Sequence, residues 1–385
     1  MKVTYVTTYD AKDVRQWSGL GFYIAKALVD AGLELQYCGP LKIRNRVYLK
    51  NKDRIIRKIL KKNFDVIREP RVVKHLADQI SAFLEKNPSD IVFCPSSIPI
   101  ALLKTKLPIV FYTDANFAGV VDFYPEYSNY LKRTFNNAHK MEDAAIKNAD
   151  TIIYSSSWAA ETAVKFYNAQ MTKIRIIPFG ANLSYSYSKD EVDAFIRRRL
   201  EEPLHILFLG LSWERKGGDT AFQIVKHLNA KGIKAKLSVV GCSTEIYEPV
   251  PDWLDEYGFV NKATERGRII LDNLMKRSHL LLLPSRADCT PVVFSEASSY
   301  GIPSISTKVG GIPLIIKDGV NGMLFDQNDG DEKYVEYIES LVNDKGKYRD
   351  LALSAYDEYR QKLNWESIGQ KIRDILEETI NKHKQ

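Results

Sequence analysis

Short apolar runs alternate with amphipathic helical patterns along nearly the whole chain, and this alternation constrains the fold more than any other feature. In the first half the strand-like runs are Val3–Thr8, Glu34–Cys38, Asp90–Cys94, Ile109–Thr113, Thr151–Tyr154 and Ile174–Ile177. In the second half they are Ile206–Leu209, Leu237–Val240, Leu280–Leu283, Ser304–Ser306 and Gly322–Phe325. Between them lie helical patterns such as Phe22–Asp30, Glu142–Ala149 and Thr220–Asn229. Strands that alternate with helices predict parallel α/β units. A chain of 385 residues exceeds what one core normally organises, so two domains are expected. The polar stretch Asn182–Pro203, rich in Ser, Tyr and charge, reads as the linker.

The expectation is therefore an α/β chain of two tandem Rossmann-like domains facing each other across a cleft. In such sheets ligands bind outside the carboxyl ends of the strands, and the cleft is the default site. Other classes are disfavoured. No apolar run is long enough to span a bilayer, and Met1-Lys2-Val3-Thr4 leads straight into a strand rather than a signal peptide. Cys38, Cys94, Cys242 and Cys289 are scattered without metal-ligand spacing and read as reduced thiols of a cytoplasmic protein. The six histidines show no metal-helix spacing either, so no metal is expected.

The net charge of +7 is concentrated in one segment. Between Lys42 and Lys74 thirteen Lys and Arg residues face only Asp53, Asp65 and Glu69. This is either a solvated basic surface or, across 42–74, a patch for peripheral contact with anionic membrane or for a phosphorylated acceptor. No nucleic-acid-binding motif accompanies the charge, so nucleic acid is not the expected partner.

Four motifs fall where a strand ends and a helix begins. Trp17-Ser18-Gly19-Leu20-Gly21-Phe22 opens the first helix, with glycines that let a ligand approach the backbone; a purely structural turn is the alternative. It lacks the third glycine of a dinucleotide fingerprint. Gly210-Leu211-Ser212-Trp213-Glu214-Arg215-Lys216-Gly217-Gly218 sets two adjacent cations over a helix start, a site for a diphosphate unless the pair is merely exposed. In the third, Asp288 lies on a loop, Thr290-Pro291 precedes Val292, and Pro291 suits the first turn of a helix that carries Glu296 in its second. A phosphate at the free amides of that turn would lie between the two acids; otherwise they are ordinary loop and surface acids. The fourth is Tyr112-Thr113-Asp114-Ala115-Asn116, where Asp114 either meets an acceptor hydroxyl or sugar, or caps the next helix.

Taken in this order, the motifs resemble the retaining glycosyltransferases of family 4, which have the two-Rossmann GT-B fold. The resemblance rests on Gly210–Gly218, on the two acids Asp288 and Glu296, and on "GIPSISTKVGGIPLIIKDGVNGMLF" (Gly301–Phe325). "YSSSWAAE" (Tyr154–Glu161) and "IPFGAN" (Ile177–Asn182) add to it. It implies an acceptor-binding domain at 1–185, a nucleotide-sugar-binding domain at 186–362, and a final helix at 363–385 that crosses back to the first domain. It further implies a metal-independent hexosyltransferase that moves a sugar, with retention, from a UDP- or GDP-type nucleoside-diphosphate sugar to a hydroxyl of a glycan or lipid-linked acceptor. Such a protein would work in polysaccharide, glycolipid or other glycoconjugate synthesis, in the cytoplasm or on the inner face of the membrane. The nucleotide-sugar is a substrate, and no cofactor is implied.

By the same resemblance Glu296 holds the ribose, Arg215 and Lys216 the diphosphate, and amides near Thr290 and Val292 the distal phosphate. Asp288 contacts the transferred sugar, while Gly19 and Gly21 close over the phosphates, with Gly210 beneath the cation loop. Asp114, Arg215, Lys216 and Asp288 are the implied catalytic set. Three positions depart from the family's pattern. The first acid is Asp288 rather than Glu, Leu211 stands where Arg usually follows the glycine, and Asp114 occupies a place that often carries His. The alternatives are a sugar phosphorylase or epimerase of the same fold, or a decayed nucleotide- or glycan-binding protein.

Overall fold

The computed structural model describes residues 1–244 and 249–384. It separates into two compact units. Unit 1 is Met1–Pro178 together with the segment from Trp365 onward, and unit 2 is Phe179–Asn364. Those divisions stand beside boundaries expected at 185/186 and 362/363.

Unit 1 is built on a six-stranded parallel sheet. Its strands are β1 (Lys2–Val6), β2 (Glu34–Cys38), β3 (Ile91–Cys94), β4 (Ile109–Thr113), β5 (Thr151–Tyr154) and β6 (Ile174–Ile176). They lie in the order β2-β1-β3-β4-β5-β6. The central strands are covered on both faces, so β3, β4 and β5 read as continuous apolar runs rather than alternating ones. The helix Leu20–Asp30 follows β1, and the final helix Trp365–His383 packs beside it within the same unit. Arg373 donates from Nη1 to the carbonyl of Ala31 at 3.0 Å, just past the end of Leu20–Asp30. A cation placed there suits the negative end of the helix dipole.

Unit 2 repeats the plan with β7 (Leu204–Leu209), β8 (Ala235–Val240), β9 (Leu254–Glu256), β10 (Leu280–Leu283), β11 (Ser304–Thr307) and β12 (Gly322–Phe325). The order is β12-β11-β10-β7-β8-β9, all parallel. The sequence reading contains no counterpart of β9. Its three residues, Leu-Asp-Glu, form an edge strand that exists through pairing with β8 and carries almost no apolar pattern of its own.

The stretch expected as a linker, Asn182–Pro203, instead contains the helix Lys189–Arg199. Ser188 and Glu191 form a reciprocal capping box at its start, and three arginines occupy its last turn. Val192, Ile196 and Arg199 are fully buried. Arg199 donates to four main-chain carbonyls, those of Met275, Lys276, Tyr300 and Gly301, at 2.8–3.1 Å. Met275 and Lys276 lie in the last turn of the helix Glu265–Arg277, and Tyr300 and Gly301 follow the helix Val292–Ser298. One buried guanidinium thus ties two helix ends together, meeting acceptors that their own helices leave without partners.

His279 completes this junction. Its Nε2 bonds the Arg199 carbonyl at 2.6 Å, and its Nδ1 accepts from the His205 amide at 3.1 Å. The ring is therefore placed as neutral imidazole with the proton on Nε2. Burial pushes its pKa down to about 4, and the neighbouring Arg199 charge adds to the shift. The folded value lies below the ordinary one of about 6.5, so the unfolded chain takes up the proton first. Stability from this group is complete above about pH 6.5 and declines as pH falls towards 4, by up to ~3 kcal/mol. Thermal melts between pH 7 and pH 4.5 should show a falling melting temperature, with a shallower slope in His279→Gln, whose amide can keep both bonds without titrating.

Candidate active site

The sheet of unit 2 reverses its strand order at β7, which has β8 on one side and β10 on the other. The crevice at such a switch point, beyond the carboxyl ends of the strands, is where open α/β sheets bind ligands. The loops that leave β7 and β10 bear the singled-out residues. β7 ends at Leu209, Gly210 follows, and Leu211 is exposed. Lys216 donates its amide to the Ser212 carbonyl at 3.1 Å, which folds the loop back on itself. Gly217 has φ +74° and caps the helix Gly218–Ala230.

The two loops touch at this turn. A Cβ on Gly217 would lie 2.0 Å from the carbonyl oxygen of Pro284, on the loop after β10. Two residues further on, the Arg286 amide donates to the Arg215 carbonyl at 2.8 Å. Only glycine meets both demands, a left-handed backbone and no side chain.

Above the turn sits a buried group of charges. Lys216 and Asp288 are each 7% exposed, and the lysine Nζ donates to Oδ2 of the aspartate. Arg215 reaches the same oxygen at 3.3 Å from Nη1, which also donates to the Ala287 carbonyl at 2.7 Å. One carboxylate therefore holds both cations. The main chain of Asp288 is fixed in turn by the Gly311 amide, which donates to its carbonyl at 3.3 Å.

After this loop comes the helix Val292–Ser298. Pro291 stands at its cap in an extended conformation, one position earlier than the first helical turn anticipated for it. Thr290 is buried, and its hydroxyl donates to the Cys289 carbonyl at 2.7 Å. Val292 begins the helix, and Glu296 lies in its second turn at 3% exposure. Both carboxylate oxygens of Glu296 accept from Lys262 Nζ, at 2.8 and 2.7 Å. Lys262 is half exposed and 34 positions away in sequence, and the sequence reading missed it. No local pattern marks it, since its partner is known only once the two segments are placed.

Gly19, Gly21 and Asp114 belong to unit 1. Trp17, Ser18 and Gly19 are all left-handed, at φ 45°, 54° and 85°, immediately before the helix Leu20–Asp30. The two non-glycine residues store strain of roughly 1–2 kcal/mol each there. Gly21 is held by the Tyr5 hydroxyl, which donates to its carbonyl at 2.7 Å. A Cβ on Gly21 would lie 2.3 Å from the hydroxyl oxygen of Tyr9. Burial raises the Tyr9 pKa, and the charge of Asp114 contributes to the shift. Tyr9 thus packs against the glycine-opened helix start. The hydroxyl of Thr113 donates towards Asp114 at 3.5 Å. The Asn116 side chain, not Asp114, caps the next helical turn by accepting from the Gly119 amide at 3.1 Å.

Within unit 2 the structure therefore brings Gly210, Arg215, Lys216 and Asp288 into one cluster, with Thr290, Val292 and Glu296 following directly. Within unit 1, Gly19 caps the helix on which Gly21 packs against Tyr9, and Asp114 follows β4. Among the described residues, no three His, Cys, Asp or Glu side chains come together as a metal-binding group.

Comparison with known proteins bears on the family likeness and the fold. Residues 189–358 match the family model of glycosyl transferases group 1. The D-inositol 3-phosphate glycosyltransferase of Corynebacterium kroppenstedtii is 25% identical over 255 residues, which span 63% of this chain and 56% of that protein. The chain thus aligns with little more than half the length of that relative. Among solved structures, sucrose-phosphate synthase from Thermosynechococcus elongatus matches with a TM-score of 0.69 at 15% identity, over 99% of both chains. Anabaena HepE in complex with UDP matches with a TM-score of 0.67 at 14% identity, over 98% of this chain and all of that one. These likenesses establish the GT-B fold of two Rossmann-like sheets.

The contact between the two loops makes one position decisive. Gly217→Ala should lower stability by at least about 2 kcal/mol, because the added methyl meets a backbone carbonyl in a left-handed turn. Denaturant unfolding of the variant measures this, and an unchanged midpoint would contradict the described loop contact.

Proposed function

We propose, on the premise that residues 189–358 belong to the glycosyl transferases group 1 family, that this chain transfers a hexosyl group from a nucleoside-diphosphate sugar to an acceptor hydroxyl. The observation that carries the reading is the Asp288–Lys216–Arg215 cluster at the strand-order switch of unit 2. Two cations held ready at a helix start are suited to a diphosphate leaving group. That the matching HepE structures hold UDP or UDP-glucose favours a uridine nucleotide as the donor.

In this reading Asp288 positions before it binds. It holds both cations where the phosphate oxygens arrive, so their attraction needs little reorganisation. A bound diphosphate competes for the cations and frees the carboxylate for hydroxyls of the transferred sugar. Glu296 exchanges one or both bonds to Lys262 for the ribose hydroxyls. Lys262, on the exposed side of that pair, then neutralises the carboxylate and orients it. The amides near Thr290 and Val292 take the distal phosphate. In unit 1, Asp114 is assigned to a hydroxyl and the helix start at Gly19 and Gly21 to a phosphate oxygen.

The chemistry follows from the leaving group. The bond from the anomeric carbon to the phosphate oxygen breaks, and charge grows on that oxygen, facing Arg215 and Lys216. The acceptor oxygen bonds to the same face of the anomeric carbon, which retains configuration. Its proton passes to the departing phosphate, so no side chain has to act as general base. Lys216 and Arg215 stabilise this charge electrostatically and can do so without a metal ion.

Two measurements test the proposal. Lys216→Ala and Glu296→Ala should each lower transfer at least tenfold, or about 1.4 kcal/mol in barrier; near-normal activity in both would overturn the assignment. A thermal-shift series over UDP, GDP, ADP and their sugars should raise the melting temperature for one nucleotide class, since a ligand of the native state stabilises it. Product analysis with and without acceptor separates transfer from phosphorolysis and epimerisation.

A further inference from the structure

One helix of unit 1 plays no part in this reading and has an unusual surface. In the helix Arg46–Leu60, Leu49 packs against the core of its unit and Ile56 is the only buried residue. Five apolar side chains on it face solvent: Val47 at 75% exposure, Tyr48 at 67%, Ile55 at 57%, Ile59 at 70% and Leu60 at 53%. At 3.6 residues per turn, Tyr48, Ile55 and Ile59 fall within about 40° of one another around the helix axis. They form a stripe beside the packed face, not a continuation of it.

The cations take a third face. Arg46, Lys50, Arg54, Arg57 and Lys58 spread over about 120° on the other side. From Lys42 to Lys62 ten Lys or Arg residues accompany a single acid, Asp53. Asp53 is itself engaged by Arg57 at 2.8 Å. Lys52 turns inward over the ring of Phe64, at 4.5 Å from its centroid. Lys50, Arg54 and Lys58 are exposed.

From this arrangement we infer that the helix Arg46–Leu60 is a docking surface for an anionic lipid bilayer, lying in the interface with Tyr48, Ile55 and Ile59 inserted among the headgroups. Charge complementarity and the aligned apolar stripe both point to this occupant. A basic face beside exposed Ile and Tyr is the composition of helices that lie in a membrane surface. A polyanion such as nucleic acid would satisfy the cations but leave the stripe in water. A second copy of the chain would cover the stripe while pressing like charges together. No helix among the described residues is long and apolar enough to cross a membrane, so the contact is peripheral. The inference stands apart from the proposed activity, because the helix contains none of the residues assigned to the reaction.

Co-sedimentation of the full chain with vesicles of phosphatidylglycerol or of phosphatidylcholine tests it. Binding is expected to the first and to be weaker by at least an order of magnitude to the second, and to weaken further with salt. Lys50→Glu/Arg54→Glu/Lys58→Glu should lose on the order of a hundredfold in affinity, taking about fivefold per cation near the surface. Ile55→Ser/Ile59→Ser, which leaves every charge in place, should lose at least about tenfold. All five substituted side chains are exposed and lie outside the residues assigned to the reaction, and matching melting temperatures would show that the variants fold. Tyr48→Trp should give a blue-shifted emission on adding phosphatidylglycerol vesicles. Three results would overturn the proposal: no binding to phosphatidylglycerol, full binding by the isoleucine variant, or self-association that the isoleucine variant abolishes without vesicle binding in the parent chain.

Discussion

The attraction between Asp288 and its two cations ties together the loops that leave β7 and β10 in unit 2. Arg215 and Lys216 leave β7 on one loop, and Asp288 leaves β10 on another. Lys216 and Asp288 are buried, such charges are costly unless paired, and removing one partner of a buried pair typically costs about 3–5 kcal/mol. The same pairing draws the two loops over the switch point, where the Gly217 turn beneath them has room for nothing larger than hydrogen. Asp288 is also one methylene shorter than the acid usual in the family it resembles, and its carboxylate finds the lysine rather than open solvent. The ion group and the bare turn are two parts of one construction.

Arg199 serves the same region from the opposite end. It meets carbonyls at the ends of two helices, one of which, Val292–Ser298, carries Glu296. Only as a neutral ring can His279 both donate to the Arg199 carbonyl and accept from the His205 amide.

Much of this was legible in the sequence. The strand runs, especially Leu280–Leu283, announce buried parallel strands because they lie between helices on both faces. Arg215, Lys216, Asp288 and Glu296 stand out because each sits just past a strand, near a helix start. What failed was whatever depends on distant partners. Lys189–Arg199 reads as a linker because it is highly polar, yet one of its most buried residues is an arginine. Short β9 has too few apolar residues to show a period. Lys262 looks like any surface lysine until Glu296 is placed beside it, and the sharing of Asp288 by both cations is a fact of space, not of spacing.

The crowding of Tyr9 against Gly21 has a consequence for how this chain can vary. The phenol occupies the volume that any side chain at position 21 would need, so the two sites form one steric unit. A larger residue at 21 becomes tolerable only when position 9 shrinks. Diversification of this loop should then proceed by paired substitutions, with single changes at position 21 the rarest kind to survive.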